Sequence, residues 1–279
     1  MTEALAKTWF ITGTTTGLGR AWATAALDRG DRVAATARNV DRIQDLVDAY
    51  GDAVLPLLLD VTDRAAVFDA VGRAHDHFGR LDVVVNNAGY GTYGMVEEIS
   101  EQEARAQLDT NLFGALWVTQ AALPFLREQG DGHILQISSV GGLMAGPSLG
   151  IYHASKWALE GLSESLAHEV RELGIKVTIV EPTGYATAAE GSARHAAPLP
   201  AYEQQRERFA AMRAAATANE GEPGATSAAI LAVVDADDPP LRIVLGAGVL
   251  ERVAALYESR LVAWREWEAV SVAAHGIAT

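Results

Sequence analysis

Tyr152 and Lys156 stand four positions apart, with Ser139 upstream of both, and these three side chain types can together move a proton to or from an oxygen atom. Positions four apart share a face of a helix, so the spacing predicts a Lys156 ammonium beside the Tyr152 phenol, favouring its anion. A free tyrosine has a pKa of about 10 and is a poor acid or base near neutrality, and a fixed cation lowers that value toward the working range. Ser139 supplies a hydroxyl to hold the oxygen of a reacting carbonyl or alcohol. The bare Tyr-x-x-x-Lys spacing also arises as an aromatic core residue beside a solvated lysine, so the surrounding sequence decides between the two.

A second constellation lies near the amino terminus, in Thr12-Gly13-Thr14-Thr15-Thr16-Gly17-Leu18-Gly19. Gly13 can take a tight turn, Gly17 lets the backbone approach a pyrophosphate, and Gly19 allows close packing of helix on strand. Thr15, Thr16 and Leu18 complete this phosphate-facing turn, whose helix presents free N–H groups and a positive dipole end. No Gly-Lys-Ser/Thr follows, which argues against a nucleoside triphosphatase. About 20 residues on, where an acid would bind the ribose 2′-hydroxyl of NAD, the chain has Arg38. An arginine there can pair with a 2′-phosphate, so NADP(H) is expected in preference to NAD(H).

The elements that must position these groups alternate short apolar runs with helical patterns. Strands are predicted at 8–12, 32–37, 53–60, 82–86, 133–138, 176–181 and 242–245, and helices at 17–29, 40–50, 64–78, 101–129 and 155–173. This alternation predicts an α/β fold, a doubly wound parallel sheet of Rossmann type with helices on both faces. One domain over 1–279 is expected. The rhythm breaks at 185–226, a stretch rich in Ala, Glu, Arg and Pro that leaves the carboxyl end of a core strand and is expected to form a substrate lid. Near the carboxyl terminus, Val253, Leu256, Leu261, Trp264 and Trp267 recur at roughly helical spacing, as a packing stripe or subunit contact.

Composition narrows the partners. With 22 basic against 36 acidic residues the formal charge is −14, which opposes nonspecific attraction to nucleic acid or anionic lipid. The absence of cysteine excludes disulfides and thiolate metal sites. No signal-like segment precedes the first strand, and apolar runs such as 53–59 fall far short of the roughly 20 residues of a membrane helix. A soluble, cytoplasmic protein with no nucleic acid or membrane partner is expected.

Taken in order, Thr12-Gly13-x-x-x-Gly17-x-Gly19, Asn86-Asn87-Ala88-Gly89, Asn111, Ser139 and Tyr152-x-x-x-Lys156 resemble the short-chain dehydrogenase/reductase family. The resemblance covers 7–187 closely and the final strand more loosely. It implies a seven-stranded sheet, a nicotinamide cofactor across the strand ends, a small carbonyl or alcohol substrate, and a homodimer or homotetramer. It makes Tyr152 the general acid in reduction and base in oxidation, with Lys156 lowering its pKa and holding the nicotinamide ribose. Ser139, rather than Ser138, would orient the substrate oxygen, and Asn111 would support a water linking Lys156 to solvent.

By the same resemblance, Asp60 and Val61 lie beside the adenine, and Asn87, Ala88 and Gly89 border the adenosine ribose and the sheet centre. The family's Pro-Gly turn appears here as Pro182-Thr183-Gly184, with Thr187 placed to meet the nicotinamide carboxamide. Thr183 puts a β-branched side chain where close backbone approach is expected; alternatively, Gly184 takes over the turn. The activity implied is NADPH-dependent interconversion of a ketone or aldehyde and an alcohol. The alternatives are a catalytically silent NADP-binding sensor, or an epimerase or dehydratase using transient oxidation.

Other chemistry-bearing residues read as ordinary. His75-x-His77 sits in a charged helical context with no third ligand, and no metal is expected. His153 reads as a lining or surface residue, and Glu97, Glu98 and Glu101 as a charged helix start. Tyr90, Tyr93, Met95, Leu143, Met144, Leu149 and Tyr185 flank the motifs and can form an apolar substrate wall or ordinary core.

Overall fold

Alternation of side chains along β1 (Thr8–Ile11) already divides the core in two. Trp9 and Ile11 join one buried apolar cluster with Val33, Ala35, Val83, Val85, Leu135 and Ile137, backed by Trp22, Ala26, Ile230 and Val233. Phe10 joins the other with Ala34, Leu57, Val84 and Ile134, backed by Val67, Val71, Val118 and Leu166. A sheet covered on both faces needs continuous apolar strands, which is why β1, β4 (Val83–Asn86) and β6 (Gly132–Ile137) are buried at every position.

The structure, a computed structural model, describes residues 6–186, 193–217 and 220–276. Together with β2 (Arg32–Ala37), β3 (Val54–Leu58), β7 (Ile175–Pro182) and β9 (Arg242–Leu245), these strands form a seven-stranded sheet in the order β3-β2-β1-β4-β6-β7-β9. All six pairings are parallel. The order reverses direction between β1 and β4, and a doubly wound sheet binds its ligands at that crevice, outside the carboxyl ends of the strands. The expected Rossmann-type sheet is therefore present. The helices around it are α1 (Gly17–Asp28), α2 (Gln44–Tyr50), α3 (Arg64–Phe78), α4 (Glu101–Leu108), α5 (Ala115–Gln129), α6 (Gly150–Val170), α7 (Glu203–Thr217) and α8 (Ser227–Asp235).

Strands at 32–37 and 242–245 and the helix at 64–78 match the sequence expectation to the residue. The α3 limits have local causes: the Asp63 carboxylate accepts from the Ala66 N–H at 3.0 Å, and Gly79 closes the helix at φ 75°. The two longest helix expectations need correction. The helix at 101–129 is interrupted by a π-helical turn, Asp109–Gly114. The helix expected at 155–173 starts at Gly150, so Tyr152 lies inside it, and it ends at Val170 ahead of a 3-10 turn. A separate two-stranded parallel ladder pairs β5 (Thr92–Tyr93) with β8 (Arg194–His195).

By internal contacts the chain groups into two compact units, Met1–Leu245 and Gly246–Thr279. The second contains α9 (Leu250–Glu266) and α10 (Glu268–Ala274), neither with a buried residue. The apolar stripe recognised in the sequence falls here, and Trp264 and Trp267 are each 66% exposed.

Candidate active site

Tyr152 and Lys156 project one turn apart from the start of α6, and the Lys156 Nζ lies 5.9 Å from the Tyr152 ring centroid. Lys156 is buried, and its ammonium donates to the Ile137 carbonyl at the end of β6, at 2.7 Å. Burial lowers its pKa to about 8, against the pull of the Glu160 charge, which favours the ammonium. Ser139 follows β6 by two residues. Its hydroxyl accepts from the Gly141 N–H at 3.0 Å, reaches the Pro182 carbonyl at 3.4 Å, and lies in hydrogen-bonding reach of Tyr152.

The expected lowering of the Tyr152 pKa is not what the structure displays. Burial drives it above the ordinary tyrosine value, the Ser139 hydroxyl pulls it down, and Tyr93 adds a push upward. Lys156 is turned to the Ile137 carbonyl instead of the phenol. Burial thus makes the phenol a weaker acid than a free tyrosine, and only the Ser139 hydroxyl works against this.

The loop between Ser139 and α6 is clamped by His153, which the sequence treated as lining or surface. The Gly146 N–H donates to its Nε2 at 3.0 Å, so the proton sits on Nδ1 and is given to the Gly141 carbonyl at 2.9 Å. A Cβ at Gly141 would come within 2.9 Å of His153 and 3.1 Å of the Tyr152 ring. A glycine there lets Ser139, Tyr152 and His153 share one small volume.

Asn111 sits in the π-helical turn, which rotates its amide inward. Its Nδ2 donates to the Tyr90 carbonyl at 2.9 Å and to Ser155 Oγ at 3.1 Å, and its Oδ1 accepts from the Tyr90 N–H. A Cβ on Gly89 would lie 3.2 Å from Asn111 Oδ1 and 3.6 Å from Lys156 Nζ. Asn111, Gly89 and Lys156 are therefore one contiguous group.

The glycine turn is built to lie open toward a ligand. Gly13 and Gly17 adopt φ of 73° and 64°, conformations that carry a steric cost for any residue with a Cβ. A Cβ on Gly19 would fall 2.5 Å from the Gly13 carbonyl and 2.4 Å from Asn87 Nδ2. The Asn87 amide ties this turn to the end of β4, donating to the carbonyls of Thr12 at 2.9 Å and Gly13 at 3.0 Å. The α1 amino terminus has no side-chain cap from Thr16 and no acid in its first turn, so its N–H groups and dipole face outward as an anion cradle. Thr15 and Leu18 flank it, Leu18 packing on the core.

These features fit the pyrophosphate of a dinucleotide, and neighbouring residues continue the crevice. Thr14 bonds through its N–H and hydroxyl to the Thr36 carbonyl, so the glycine turn adjoins the end of β2, where Arg38 is exposed. Asp60 turns its carboxylate onto Thr62, and Val61 is buried against Gly114, where a Cβ would meet it at 2.7 Å. Ala88 donates its N–H to Thr12 Oγ1 at 2.9 Å.

Past β7, the Thr183 N–H is taken by the Leu245 carbonyl at 2.9 Å, and the Gly184 carbonyl accepts from Gly221 at 3.1 Å. Gly184 is not among the residues of positive φ, and from it the segment runs beside Gly221, which bridges to Tyr185. Thr187 lies outside the described residues.

Beside the phenol ring, the Gly91 backbone faces Tyr152, with a Cβ position 3.7 Å from it. Tyr93 stacks on His195 at 5.2 Å, and a cavity of about 310 Å³ opens beneath α7, lined by Tyr93, Ser148, His195, Pro198 and Phe209. Of the expected apolar wall, Tyr93 reaches this cavity, Leu149 lies beside Gly91, and Met95 and Leu143 are buried.

Glu98 joins the α7 segment to the body. Its buried carboxylate accepts from Arg206 at 2.6 Å, from the Leu199 N–H at 2.8 Å and from the Met95 N–H at 2.8 Å. The Arg206 guanidinium, the first of these, and the backbone donors hold its pKa down to about 2. The sequence took Glu98 for part of a charged helix start; a partner 108 residues away leaves no local signal. Among the described residues no cluster of three metal-ligating side chains occurs, and no helix is long and apolar enough to cross a membrane.

The family model for short chain dehydrogenases matches residues 7–198. Oxidoreductase BOA17 of Botryotinia fuckeliana (strain B05.10) is 40% identical over 272 residues, spanning 96% of this chain and 99% of that protein. Among solved structures, a short-chain dehydrogenase from Streptomyces avermitilis superposes with a TM-score of 0.88 at 38% identity, covering 97% of this chain and 98% of its own. A short chain dehydrogenase/reductase from Burkholderia phymatum in complex with NAD gives a TM-score of 0.82 at 25% identity, with 94% and 96% covered. With the sheet order, the glycine turn and the Ser139, Tyr152 and Lys156 group in one crevice, the chain belongs to the short-chain dehydrogenase family of oxidoreductases.

Proposed function

We propose that this protein is an NADP(H)-dependent oxidoreductase that interconverts a small ketone or aldehyde and the corresponding alcohol. The observation that carries this reading is the meeting of Ser139, Tyr152 and Lys156 at the carboxyl ends of β6 and β7, in the same crevice as the open glycine turn. Gly13, Thr15, Thr16, Gly17, Leu18 and Gly19 would hold the pyrophosphate, and Asp60, Val61, Asn87, Ala88 and Gly89 the adenosine. Pro182, Thr183, Gly184 and Thr187 would border the nicotinamide. The bound nicotinamide supplies or accepts the hydride.

In reduction, Ser139 holds the substrate oxygen and the Tyr152 hydroxyl gives it a proton as hydride reaches the carbonyl carbon; in oxidation Tyr152 takes that proton back. Lys156 places a positive charge beside the developing phenolate and offers its ammonium to the nicotinamide ribose. Asn111 orients the Gly89–Tyr90 segment against Lys156. The cavity lined by Tyr93, His195 and Phe209 supports a substrate whose remainder is apolar.

Arg38 supports NADP(H): it is exposed at the end of β2 with no acid beside it until Asp41, and a guanidinium pairs well with a 2′-phosphate. The Burkholderia phymatum neighbour was solved with NAD, so the choice rests on this residue. Assembly as a homodimer or homotetramer in the cytoplasm belongs to the same reading. The test is direct titration of NADPH and NADH against wild type and Arg38→Asp. NADPH should bind the wild type more tightly, and the variant should lose that preference by tenfold or more, about 1.4 kcal/mol. Unchanged selectivity would remove Arg38 from the account.

A further inference from the structure

Behind Lys156, away from the crevice, three acids and one arginine are brought together from three elements. Glu160 follows Lys156 by one turn of α6, Glu181 precedes Pro182 near the end of β7, and Arg242 opens β9. The Arg242 Nε lies 3.2 Å from Glu160 Oε2 and 3.6 Å from Glu181 Oε1, while its Nη2 lies 2.9 Å from Glu164 Oε2 at the half-exposed edge. Glu160 and Glu181 are buried at 6% and 1% exposure. Oε1 of each, and Oγ of the buried Ser138, have no hydrogen-bond partner among the described residues. Ser138 and Glu160 both crowd Gly142, whose Cβ would meet them at 2.6 and 3.0 Å.

Two buried carboxylates beside one guanidinium are costly for a fold to keep, since a buried ion pair often contributes less than well-packed apolar residues would. Their ion pairs run among themselves. What they do touch is the support of the reacting groups: Glu160 shares a helix face with Lys156, Glu181 adjoins the Pro182 turn, and Ser138 adjoins Ser139.

We propose that Glu160, anchored by Arg242 in this buried cluster with Glu181, is a positioning residue that keeps Lys156 charged and seated against the Ile137 carbonyl. The charged and titratable groups around Lys156 are Glu160 on its own helix and Tyr152 one turn before it; from the π-helical turn and the Gly89 segment come only the neutral Asn111 and backbone. Around Glu160 stand Lys156 and Glu164 of α6, Arg242 of β9 and Glu181 of β7. Burial removes Lys156 from water and disfavours its charge, and the Glu160 carboxylate is the charge that opposes this. Glu181 is pushed up to about 7, first by burial and then by Glu160, with Arg242 pulling down. Near neutrality, therefore, Glu181 takes up a proton readily, and the close ion pairs of Arg242 are those to Glu160 and Glu164.

This inference takes from the proposed reaction only its need for a charged Lys156, and its test uses neither cofactor nor turnover. The chain has just three lysines, Lys7, Lys156 and Lys176, so carbon-13 labelling at lysine Cε gives three resonances, with Lys156 assigned by its loss in Lys156→Arg. The Lys156 resonance should titrate near pH 8 in the wild type. In Glu160→Gln its midpoint should move to lower pH by about one unit, because removing a nearby anion destabilises the ammonium. Glu160→Asp, which keeps the charge on a shorter stem, should give a smaller shift of the same sign and serves if the glutamine variant does not fold. Glu169→Gln, on the exposed part of the same helix, should leave the midpoint in place. A Lys156 midpoint that is unmoved in folded Glu160→Gln and Glu160→Asp overturns the proposal, whatever the enzyme's activity proves to be.

Discussion

Thr12→Val isolates the bond network that holds the glycine turn against the end of β4. Thr12 is 1% exposed, and its Oγ1 accepts from the N–H groups of Asn87 and Ala88, each at 2.9 Å, while reaching the Val85 carbonyl at 3.2 Å. Valine has nearly the same volume, so packing is retained while the Ala88 N–H loses its acceptor and the Asn87 N–H keeps only the Val85 carbonyl, at 3.1 Å. One unsatisfied donor costs about 1–3 kcal/mol, which is the loss of stability expected of this variant. Urea unfolding reads this as a lower midpoint at unchanged slope. Because the Asn87 side chain spans the Thr12 and Gly13 carbonyls, the same variant should also weaken cofactor binding in a direct titration. Thr62→Val, at an exposed turn, should change stability by less than about 0.5 kcal/mol. If Thr12→Val proves equally harmless and binds cofactor as before, the turn is not held by this network.

Two further outcomes follow from groups outside the crevice. His133 is buried; Thr178 Oγ1 gives its proton to the Pro240 carbonyl, so the His133 Nε2–H must donate to that hydroxyl and the ring is neutral. Burial first, then Lys176 and Lys7, lower its pKa from 6.5 to about 3. The unfolded chain then binds this proton more readily, so the His133 contribution is complete above pH 6.5 and is lost as the pH falls toward 3, by about 1.4 kcal/mol per unit. Urea unfolding should show about 2 kcal/mol lost to this group between pH 7 and 5, and His133→Gln should lose correspondingly less than the wild type over that interval. Arg206→Ala should loosen the α7 segment, raising KM for substrate and opening residues 193–217 to limited proteolysis. Because the Glu98 pKa is held down from 4.5 to about 2, the latch is expected to persist at neutral pH and to weaken only as the pH falls below 4.5.

What was legible in the sequence was whatever is decided locally. The glycine turn could be read because Gly13 and Gly17 must take positive φ and Gly19 must lack a Cβ. The limits of α3 could be read because Asp63 and Gly79 cap it with their own chemistry. The π-helical turn could not, since 101–129 keeps a helical composition and the deformation is held by Asn111 bonds to Tyr90 and Ser155 across the fold. The start of α6 was set late because Pro147 and Gly150 resemble loop residues, although Gly150 is the first residue of the helix and Ser148 absorbs the turn at φ 63°. Glu98 read as part of a charged helix start, and Glu160, Glu181 and Arg242 gave no local signal, because their partners are far away in sequence. The upward shift at Tyr152 was missed for a related reason: spacing on a helix gives proximity to Lys156 but says nothing of the burial that raises the phenol pKa, nor of the Ile137 carbonyl that takes up the ammonium.

The central claim is that Tyr152 moves the proton while hydride passes between nicotinamide and the substrate carbon. The most direct measurement is nicotinamide oxidation by wild type and Tyr152→Phe across a panel of ketones and aldehydes, with NADPH binding to both measured separately by titration. The account expects turnover in the wild type, a loss of a hundredfold or more in kcat for Tyr152→Phe, and NADPH binding preserved in the variant. Turnover that survives in Tyr152→Phe would contradict the account; NADPH binding by a wild type that turns over nothing would leave a nucleotide sensor in place of an enzyme.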